Sequence, residues 1–172
     1  LNKGGLAGGE FDESKRSIDN TLLILQHRLK AKANFPTIQI IKNYGQLPQV
    51  ECYPSQLNQV FMNILSNAID ALESSGVSNH EQPRITIRTF MGSGDAIAIS
   101  IADNGVGMPQ SILGPVFDPL FTTKPLGKGT GLGLSISHQI ITEKHGGKIE
   151  CSSIPGLGTD FVVEIPVRHL VA

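Results

Sequence analysis

The stretch from Pro54 to Leu72 limits the fold more than any other part of this chain. Its apolar residues recur at helical spacing and form one broad face, made of Leu57, Val60, Phe61, Ile64, Leu65, Ala68, Ile69 and Leu72. Pro54 suits the first position of such a helix. Because a helix with so wide an apolar face needs a second layer to cover it, the strands of the chain are expected to pack against it.

Other periodic segments supply that second layer. Helices are also predicted from about Ser14 to Asn34 and from about Gly131 to Lys144. Strands are predicted at 37–44, 49–53, 84–90, 96–103, 148–153 and 160–167. This order predicts an α+β fold: a two-layer sandwich with a mixed, mostly antiparallel sheet covered on one face by three helices.

Composition indicates one globular domain. The chain has 172 residues, of which 40% are hydrophobic and 17% charged, and its net charge is −1. This charge argues against binding to nucleic acid or a membrane surface, and no apolar run is long enough to cross a bilayer. The cysteines, Cys52 and Cys151, are predicted to be small buried apolar residues, with no indication of a disulfide.

The beginning of the chain suggests a fragment of a longer protein, because Leu1 stands where a start Met would be, and no signal peptide is recognisable. The Gly-rich residues 1–13 are predicted to be a flexible tail or linker. Residues 14–172 are predicted to form the domain.

Three amides follow one side of the predicted helix at 54–72. Gln59, Asn63 and Asn67 are spaced four residues apart, which places them on one face. Asn is a mediocre helix former, so two of them in an apolar helix need a reason. An exposed polar face explains Gln59 equally well, whereas for Asn63 and Asn67 we favour a ligand role. Amide oxygens are hard ligands that suit Mg²⁺.

A second polar group follows the apolar strand at 96–103. Asp103 ends that strand and precedes Gly105, Gly107 and Met108. An ordinary turn is one interpretation, because Asp and Gly are turn residues. The other is a pocket in which the carboxylate accepts a hydrogen bond from an exocyclic amine, the glycines leave room for a flat base, and Met108 gives an apolar contact.

The Gly-rich stretch 127–135 fits neither common phosphate-binding motif. A Walker loop would need Gly where Thr122 stands, and a dinucleotide fingerprint would need Gly where Leu132 or Leu134 stands. Residues 117–134 are either a solvated loop or a lid whose glycines lead into a helix start that binds phosphate, with Lys124 or Lys128 adding charge.

Together these segments resemble the catalytic and ATP-binding domain of sensor histidine kinases, within the superfamily of gyrase, Hsp90, histidine kinases and MutL. Residues 58–72 resemble the N box, 103–109 the G1 box, 116–124 the F box, 127–136 the G2 box and 156–166 the final glycine box. The F box and the "GTGLGLSI" sequence favour a histidine kinase, and the "FTTKP" sequence with Asp70 resembles the nitrogen-sensor-like subgroup. The implied fold is of the Bergerat type.

The resemblance implies ATP and Mg²⁺ as cofactors. It assigns Asp103 to the adenine amine with Thr159 nearby, Asn67 to Mg²⁺, and Asn63 to the metal or a phosphate. The residues expected at the nucleotide site are Asn63, Asn67, Asp70, Asp103, Gly105, Gly107, Met108, Phe121, Thr122, Thr123, Lys124, Lys128, Gly129, Thr130, Gly131, Leu132, Gly133 and Thr159. Of these, Asn63, Asn67 and Lys124 are the candidate catalytic residues, and Leu132 and Leu134 are expected to anchor the helix start to the core.

Two departures from the family pattern qualify this assignment. Many histidine kinases carry Lys or Arg three residues after the second Asn of the N box, where this chain has Asp70, so the resemblance leaves the phosphate charge to Lys124 and Lys128. The phosphoacceptor His, which lies on a separate dimerisation domain, is also missing: of the five histidines only His80 precedes an acid, and it lies in a loop-like stretch. The fragment is therefore not expected to phosphorylate itself.

The resemblance implies a role in two-component signal transduction, with the dimerisation domain of the same protein and a response regulator receiver domain as partners. The fragment is expected to be a cytoplasmic monomer, from a parent that is either membrane-bound or soluble. One alternative is a gyrase- or MutL-type ATPase, but those relatives carry a Glu base at the position of Asn63. A non-catalytic nucleotide-binding module is the other.

Overall fold

The computed structural model describes residues 13–74, 81–122 and 131–167. In chain order its elements are α1 (Glu13–Leu29), β1 (Gln39–Tyr44), α2 (Pro54–Ser74), β2 (Arg84–Met91), β3 (Ala96–Asp103), α3 (Gln110–Leu113), α4 (Gly133–Gln139), β4 (Lys148–Ile154) and β5 (Gly158–Pro166). A π-helical turn at Ile140–Lys144 extends α4. Of the predicted tail, residues 1–12 lie outside the described residues, and Glu13 already begins α1.

The five strands form one sheet in the order β1-β2-β3-β5-β4. β1 runs parallel to β2, with α2 as the connection between them, and all other neighbours are antiparallel. This confirms the predicted mixed, mostly antiparallel sheet. In the pairing of β3 with β5, Asp103 lies opposite Thr159, so the end of one strand meets the start of the other.

The hydrophobic core lies between the sheet and its helices. On α2 the predicted apolar face is buried in full. Alternate residues of the strands, such as Ile85, Ile99 and Val163, pack into the same cluster as Ile18 of α1 and Ile141 of the π-helical turn. The helical layer is therefore built by α1, α2 and α4 with its extension, as the pattern of apolar residues predicts.

Some predicted boundaries were wrong. α1 ends at Leu29 rather than Asn34, because Lys32 and Phe35 pair their backbones in a tight turn instead. α4 begins at Gly133 rather than Gly131, whose positive φ of 68° does not fit a helix. The short helix α3 was not predicted, because its four residues carry no period that a sequence pattern could show.

The strand predicted at 49–53 does not form. The two edge strands of the sheet are β1 and β4, and this segment pairs with neither of them. Its alternation has another cause, since Val50 and Cys52 pack against the core from an irregular segment. The Tyr53 N–H finds its acceptor in Nε2 of His145, at 3.0 Å.

His145 also ends the π-helical turn. Its Nδ1 donates to the carbonyl of Ile140 at 2.9 Å, and the side chain is completely buried. Because Nε2 accepts from Tyr53, the imidazole is in the neutral Nδ1–H form. Gly147 N–H donates to the carbonyl of Ile141 and completes this C-terminal end.

Within the described part of the chain, no helix combines the length and apolarity that a membrane crossing requires.

Candidate functional site

Asp103 is the buried carboxylate of the site. It ends β3, and only 8% of its surface is exposed. Its Oδ1 accepts the Gly105 N–H at 2.9 Å. Burial raises the pKa of Asp103 to about 6; hydrogen bonds from the backbone of Gly105 and Thr159 oppose this, and the charge of Asp160 adds to it. The carboxylate is thus a strong acceptor with unused capacity, held in a poorly solvated place.

Glycines surround Asp103 where other backbone comes close. A Cβ on Gly105 would lie 3.1 Å from the carbonyl carbon and oxygen of Ala71, so this glycine lets the loop approach α2. A Cβ on Gly107 would overlap the carbonyl of Ile154, and one on Gly158 would overlap the carbonyl of Asp103. Both also have positive φ, of 66° and 125°. These glycines therefore let the loop after β3 and the start of β5 pack closely around Asp103.

Ser153 connects three segments behind Asp103. Its Oγ accepts the Met108 N–H at 2.7 Å and donates to the Gly158 carbonyl at 3.0 Å. The hydroxyl of Thr159 lies 2.8 Å from the same Oγ, and Thr159 itself is buried. Met108 and Thr159, both predicted at the site, are thus brought together by a residue that was not predicted. The only sequence signal for Ser153 was its place on the helix-facing side of β4, two residues after Cys151.

Asn63 joins α2 to the start of α4. Its Nδ2 donates to the Gly133 carbonyl at 2.9 Å and to Ser137 Oγ at 3.1 Å. Ser137 Oγ in turn donates to the same carbonyl at 2.8 Å. These contacts fix the orientation of the amide, so Oδ1 is the atom of Asn63 that remains for a ligand. Asn67 lies one turn further along the same side of α2, about 6 Å along the helix axis.

The amide pair fits the magnesium ion that the sequence predicts. Among the residues the structure describes, no group of three His, Cys, Asp or Glu side chains could hold a metal. Mg²⁺ needs fewer protein ligands than that, because it keeps waters and takes phosphate oxygens. The oriented Oδ1 of Asn63 and the neighbouring amide of Asn67 are hard donors of the required kind, so both residues are compatible with the ion.

Two residues of the predicted lid at 117–134, Leu120 and Gly131, are in contact. Leu120 has an unusual positive φ of 64°, and a Cβ on Gly131 would overlap the backbone of Leu120. Next to this junction, Phe117 packs against the rings of His138 on α4 and Phe161 on β5, with centroids 5.5 Å and 6.2 Å away. The described part of the F box is therefore attached to both layers of the fold.

Several predicted site residues lie outside the described residues, namely Thr123, Lys124, Lys128, Gly129 and Thr130. Phe121 is half-buried and Thr122 is exposed at the last described positions before them. Leu134 packs against the core as predicted. The expectation that Leu132 does the same was wrong: it is 37% exposed and lies just before the first turn of α4.

Asp70 is committed to an ion pair with α1. Its Oδ1 lies 2.6 Å from Nη2 of Arg28, which also contacts Glu73 at 3.3 Å. Lys32 makes a further ion pair with Glu73 at 3.0 Å. Neither basic residue was predicted at the site, because the contact joins residues 42 positions apart and no local pattern indicates it.

Comparison with known proteins identifies the fold. Residues 52–169 match the family described as histidine kinase-, DNA gyrase B-, and HSP90-like ATPase. The chain belongs to this family. The match includes Asn63, Asn67, Asp103 and Thr159, so all four lie in the part of the chain that defines the family. Membership in this ATPase family makes the chain a nucleotide-binding domain.

Two curated relatives are kinases by name, and the second of them is a histidine kinase by name. The chain is 39% identical over 142 residues to Sporulation kinase E of Bacillus subtilis, covering 82% of this chain and 18% of the relative. It is 37% identical over 152 residues to the signal transduction histidine-protein kinase AtoS of Escherichia coli, covering 88% of this chain and 23% of that protein. The chain thus spans about a fifth of the length of these curated relatives.

A solved structure shows the same architecture over nearly its whole length. The nucleotide-free catalytic domain of histidine kinase ThkA superimposes with a TM-score of 0.72 and 29% identity, and the match covers 91% of this chain and 95% of that one. The α+β sandwich predicted from the sequence is therefore the fold of a histidine kinase catalytic domain.

Proposed function

We propose that this ATPase-family domain binds ATP with Mg²⁺ and supplies the γ-phosphoryl group to a histidine on a separate dimerisation domain, as part of two-component signalling. The buried carboxylate of Asp103 carries the proposal. It is buried at the end of β3, next to Gly105 and within hydrogen-bonding reach of the Thr159 backbone. A carboxylate in that setting suits the exocyclic amine of adenine, which needs an acceptor at a fixed position.

The phosphate end of ATP is placed by the other half of the site. Asn63 and Asn67 offer amide oxygens on one side of α2, and the Asn63 contact to Gly133 holds the start of α4 against that side. Mg²⁺ on these oxygens would neutralise charge on the phosphates. The residues of this chain then hold the γ-phosphoryl in position, which is the larger part of catalysis in phosphoryl transfer.

The transfer itself needs a group from elsewhere in the kinase. The bond between the γ-phosphorus and the oxygen bridging to the β-phosphate breaks, a phosphorus–nitrogen bond to an imidazole forms, and ADP leaves. Among the histidines in the described residues, His145 is buried with both ring nitrogens bonded, while His27 and His138 lie on helix surfaces and precede no acid. The acceptor is accordingly expected on the dimerisation domain, and a response regulator receives the phosphoryl group afterwards.

Hydrolysis of ATP is the competing function. It needs a base for water, and the residue at the corresponding place is Asn63, which has no acidic group and whose Nδ2 is bonded to Gly133 and Ser137. This contact favours transfer to an acceptor over steady hydrolysis.

Two measurements test the proposal. Calorimetry with ATP and Mg²⁺ should show 1:1 binding. Asp103→Asn should weaken this binding, because the Asn side chain has no negative charge and only one acceptor oxygen. A wild-type domain that binds no adenine nucleotide would disprove the proposal.

With radiolabelled ATP, the chain alone should remain unlabelled, and label should appear on an added matching dimerisation domain. Steady release of inorganic phosphate by the chain alone would favour the ATPase instead.

A further inference from the structure

The polar side of α2 carries a third residue besides the two asparagines. Asp70 lies three residues after Asn67 and seven after Asn63, which places it on the same side of the helix, about 10 Å along the axis from Asn63. An isolated carboxylate at this place would repel the phosphates of a bound nucleotide. Its charge is therefore expected to be balanced by another group.

Arg28 provides that balance from α1. Its Nη2 lies 2.6 Å from Oδ1 of Asp70, and the guanidinium side chain is 24% exposed, so part of it still faces solvent. Both carboxylate contacts of Arg28, to Asp70 and to Glu73, are made by Nη2. Among the described residues, Nε and Nη1 of Arg28 have no hydrogen-bond acceptor. The guanidinium thus keeps donors for a further ligand, and its partner Asp70 lies about one helical turn from Asn67.

The cluster of charges around Arg28 would not repel a bound anion. Arg28 and Lys32 face Asp70 and Glu73 in one cluster between α1 and α2, so the four formal charges cancel. Joining the helices would not by itself require Arg28, because the Lys32–Glu73 pair and the apolar contacts of Ile18, Leu22 and Leu25 already do so. A planar guanidinium differs from Lys in that it can bind a phosphate through two parallel N–H groups.

We propose that Arg28 is a phosphate-binding residue of this domain and that Asp70 is the positioning residue that holds its guanidinium beside Asn67. This inference rests on the proposed binding of ATP. By this proposal α1 contributes directly to the nucleotide site through Arg28. Asp70 on α2 holds the Arg28 guanidinium in place. The contact selects for the phosphate chain and adds nothing to the recognition of adenine.

The test compares nucleotides that differ only in their phosphates. Dissociation constants for ATP and AMP, each with Mg²⁺, are measured by calorimetry on the wild type, Arg28→Gln and the control Lys32→Gln, together with the thermal unfolding midpoint without nucleotide. Arg28→Gln should weaken ATP about tenfold and leave AMP within about twofold, because a charge-assisted hydrogen bond to phosphate is lost. Lys32→Gln removes an ion pair of the same cluster and should leave both affinities unchanged.

Two further variants separate binding from folding. If Arg28→Gln does not fold, Arg28→Lys keeps the charge next to Asp70 without the planar fork and should still weaken ATP about threefold relative to AMP. The double variant Arg28→Gln, Asp70→Lys places a cation on α2 itself and should restore most of the ATP affinity without restoring the Arg28–Asp70 pair. Equal losses for ATP and AMP, or no loss for either, would overturn the inference. Failure of the wild type to bind ATP would instead remove the proposed function on which it rests.

Discussion

At the scale of single residues, Asp103 shows how a binding group lowers the stability of the domain that carries it. Its pKa of about 6 lies above the ordinary value of 3.8, because burial disfavours the charged form. The folded state therefore holds this proton more tightly than the unfolded state. The protonated carboxyl adds to the stability of the fold, and this contribution is fully present below pH 4. It is lost as the pH rises through 6, where the buried carboxyl becomes charged.

This sign gives a prediction for Asp103→Asn. Without nucleotide, the variant should be more stable than the wild type at pH 8 by on the order of 2–3 kcal/mol, and the difference should shrink towards zero near pH 4, where the wild-type carboxyl is protonated. Urea unfolding at both pH values measures it. Asp95→Asn, a change at an exposed carboxylate in the β2–β3 turn, is the control and should show no such difference. Equal stabilities of Asp103→Asn and wild type at pH 8 would contradict the argument.

Comparing Gly107 with Gly94 separates the cost of a backbone clash from the cost of a positive φ when each is replaced by Ala. Both have positive φ, 66° and 64°, but a Cβ on Gly107 would overlap the Ile154 carbonyl whereas one on Gly94 meets nothing within 4 Å. Gly94→Ala should cost about 1 kcal/mol of unfolding free energy, the usual cost of this conformation, and Gly107→Ala clearly more, because the loop must move. Denaturant unfolding compares the two. Similar losses would show that the loop beside Asp103 yields easily.

At the scale of elements, the end of α4 depends on one buried imidazole. His145 bonds both to Ile140 in the π-helical turn and to the irregular segment before α2, through the Tyr53 N–H. The segment predicted as a strand at 49–53 is therefore fixed by a side chain from the opposite end of the chain. Loss of this side chain removes both hydrogen bonds.

We expect His145→Phe to lower the unfolding free energy by about 1–3 kcal/mol, since each of the two lost hydrogen bonds contributes about 0.5–1.5 kcal/mol. His138→Phe, at an exposed position of α4 next to Phe117, should change it by less than about 1 kcal/mol. Chemical denaturation followed by circular dichroism gives both values. A His145→Phe domain as stable as the His138→Phe control would show that the two hydrogen bonds contribute little.

At the scale of the whole molecule, nucleotide binding should appear as added stability. Asp103, Asn63 and Thr159 belong to β3, α2 and β5, so a ligand that contacts them all joins both layers of the sandwich. ATP with Mg²⁺ should raise the unfolding free energy by about 2.7 kcal/mol at a hundred times its dissociation constant. Thermal unfolding over a series of ATP concentrations tests this, and EDTA should remove most of the increase. A midpoint that does not change with ATP concentration would count against the site.

Much of the architecture could be predicted from the chain itself. The apolar face of α2 and the alternation in β2 and β3 are local patterns, so the two layers and their central elements were predicted correctly. The segment at 49–53 has the same local alternation and still is not a strand, because in the assembled sheet it pairs with neither edge strand, β1 nor β4. Pairing is a property of the assembled sheet, and no window of sequence contains it.

The candidate site divides in the same way. The sequence by itself determined the types of group available, namely amides on α2, a carboxylate at the end of β3 and glycines around it, because side-chain chemistry and helical spacing are local. Only the tertiary structure decided how they are used: that Ser153 joins Met108 to Thr159, that Asn63 is oriented by Gly133 and Ser137, and that Asp70 holds Arg28. The physical reason is that hydrogen bonds and ion pairs act over about 3 Å in space, and folding places residues 42 or 70 positions apart within that distance.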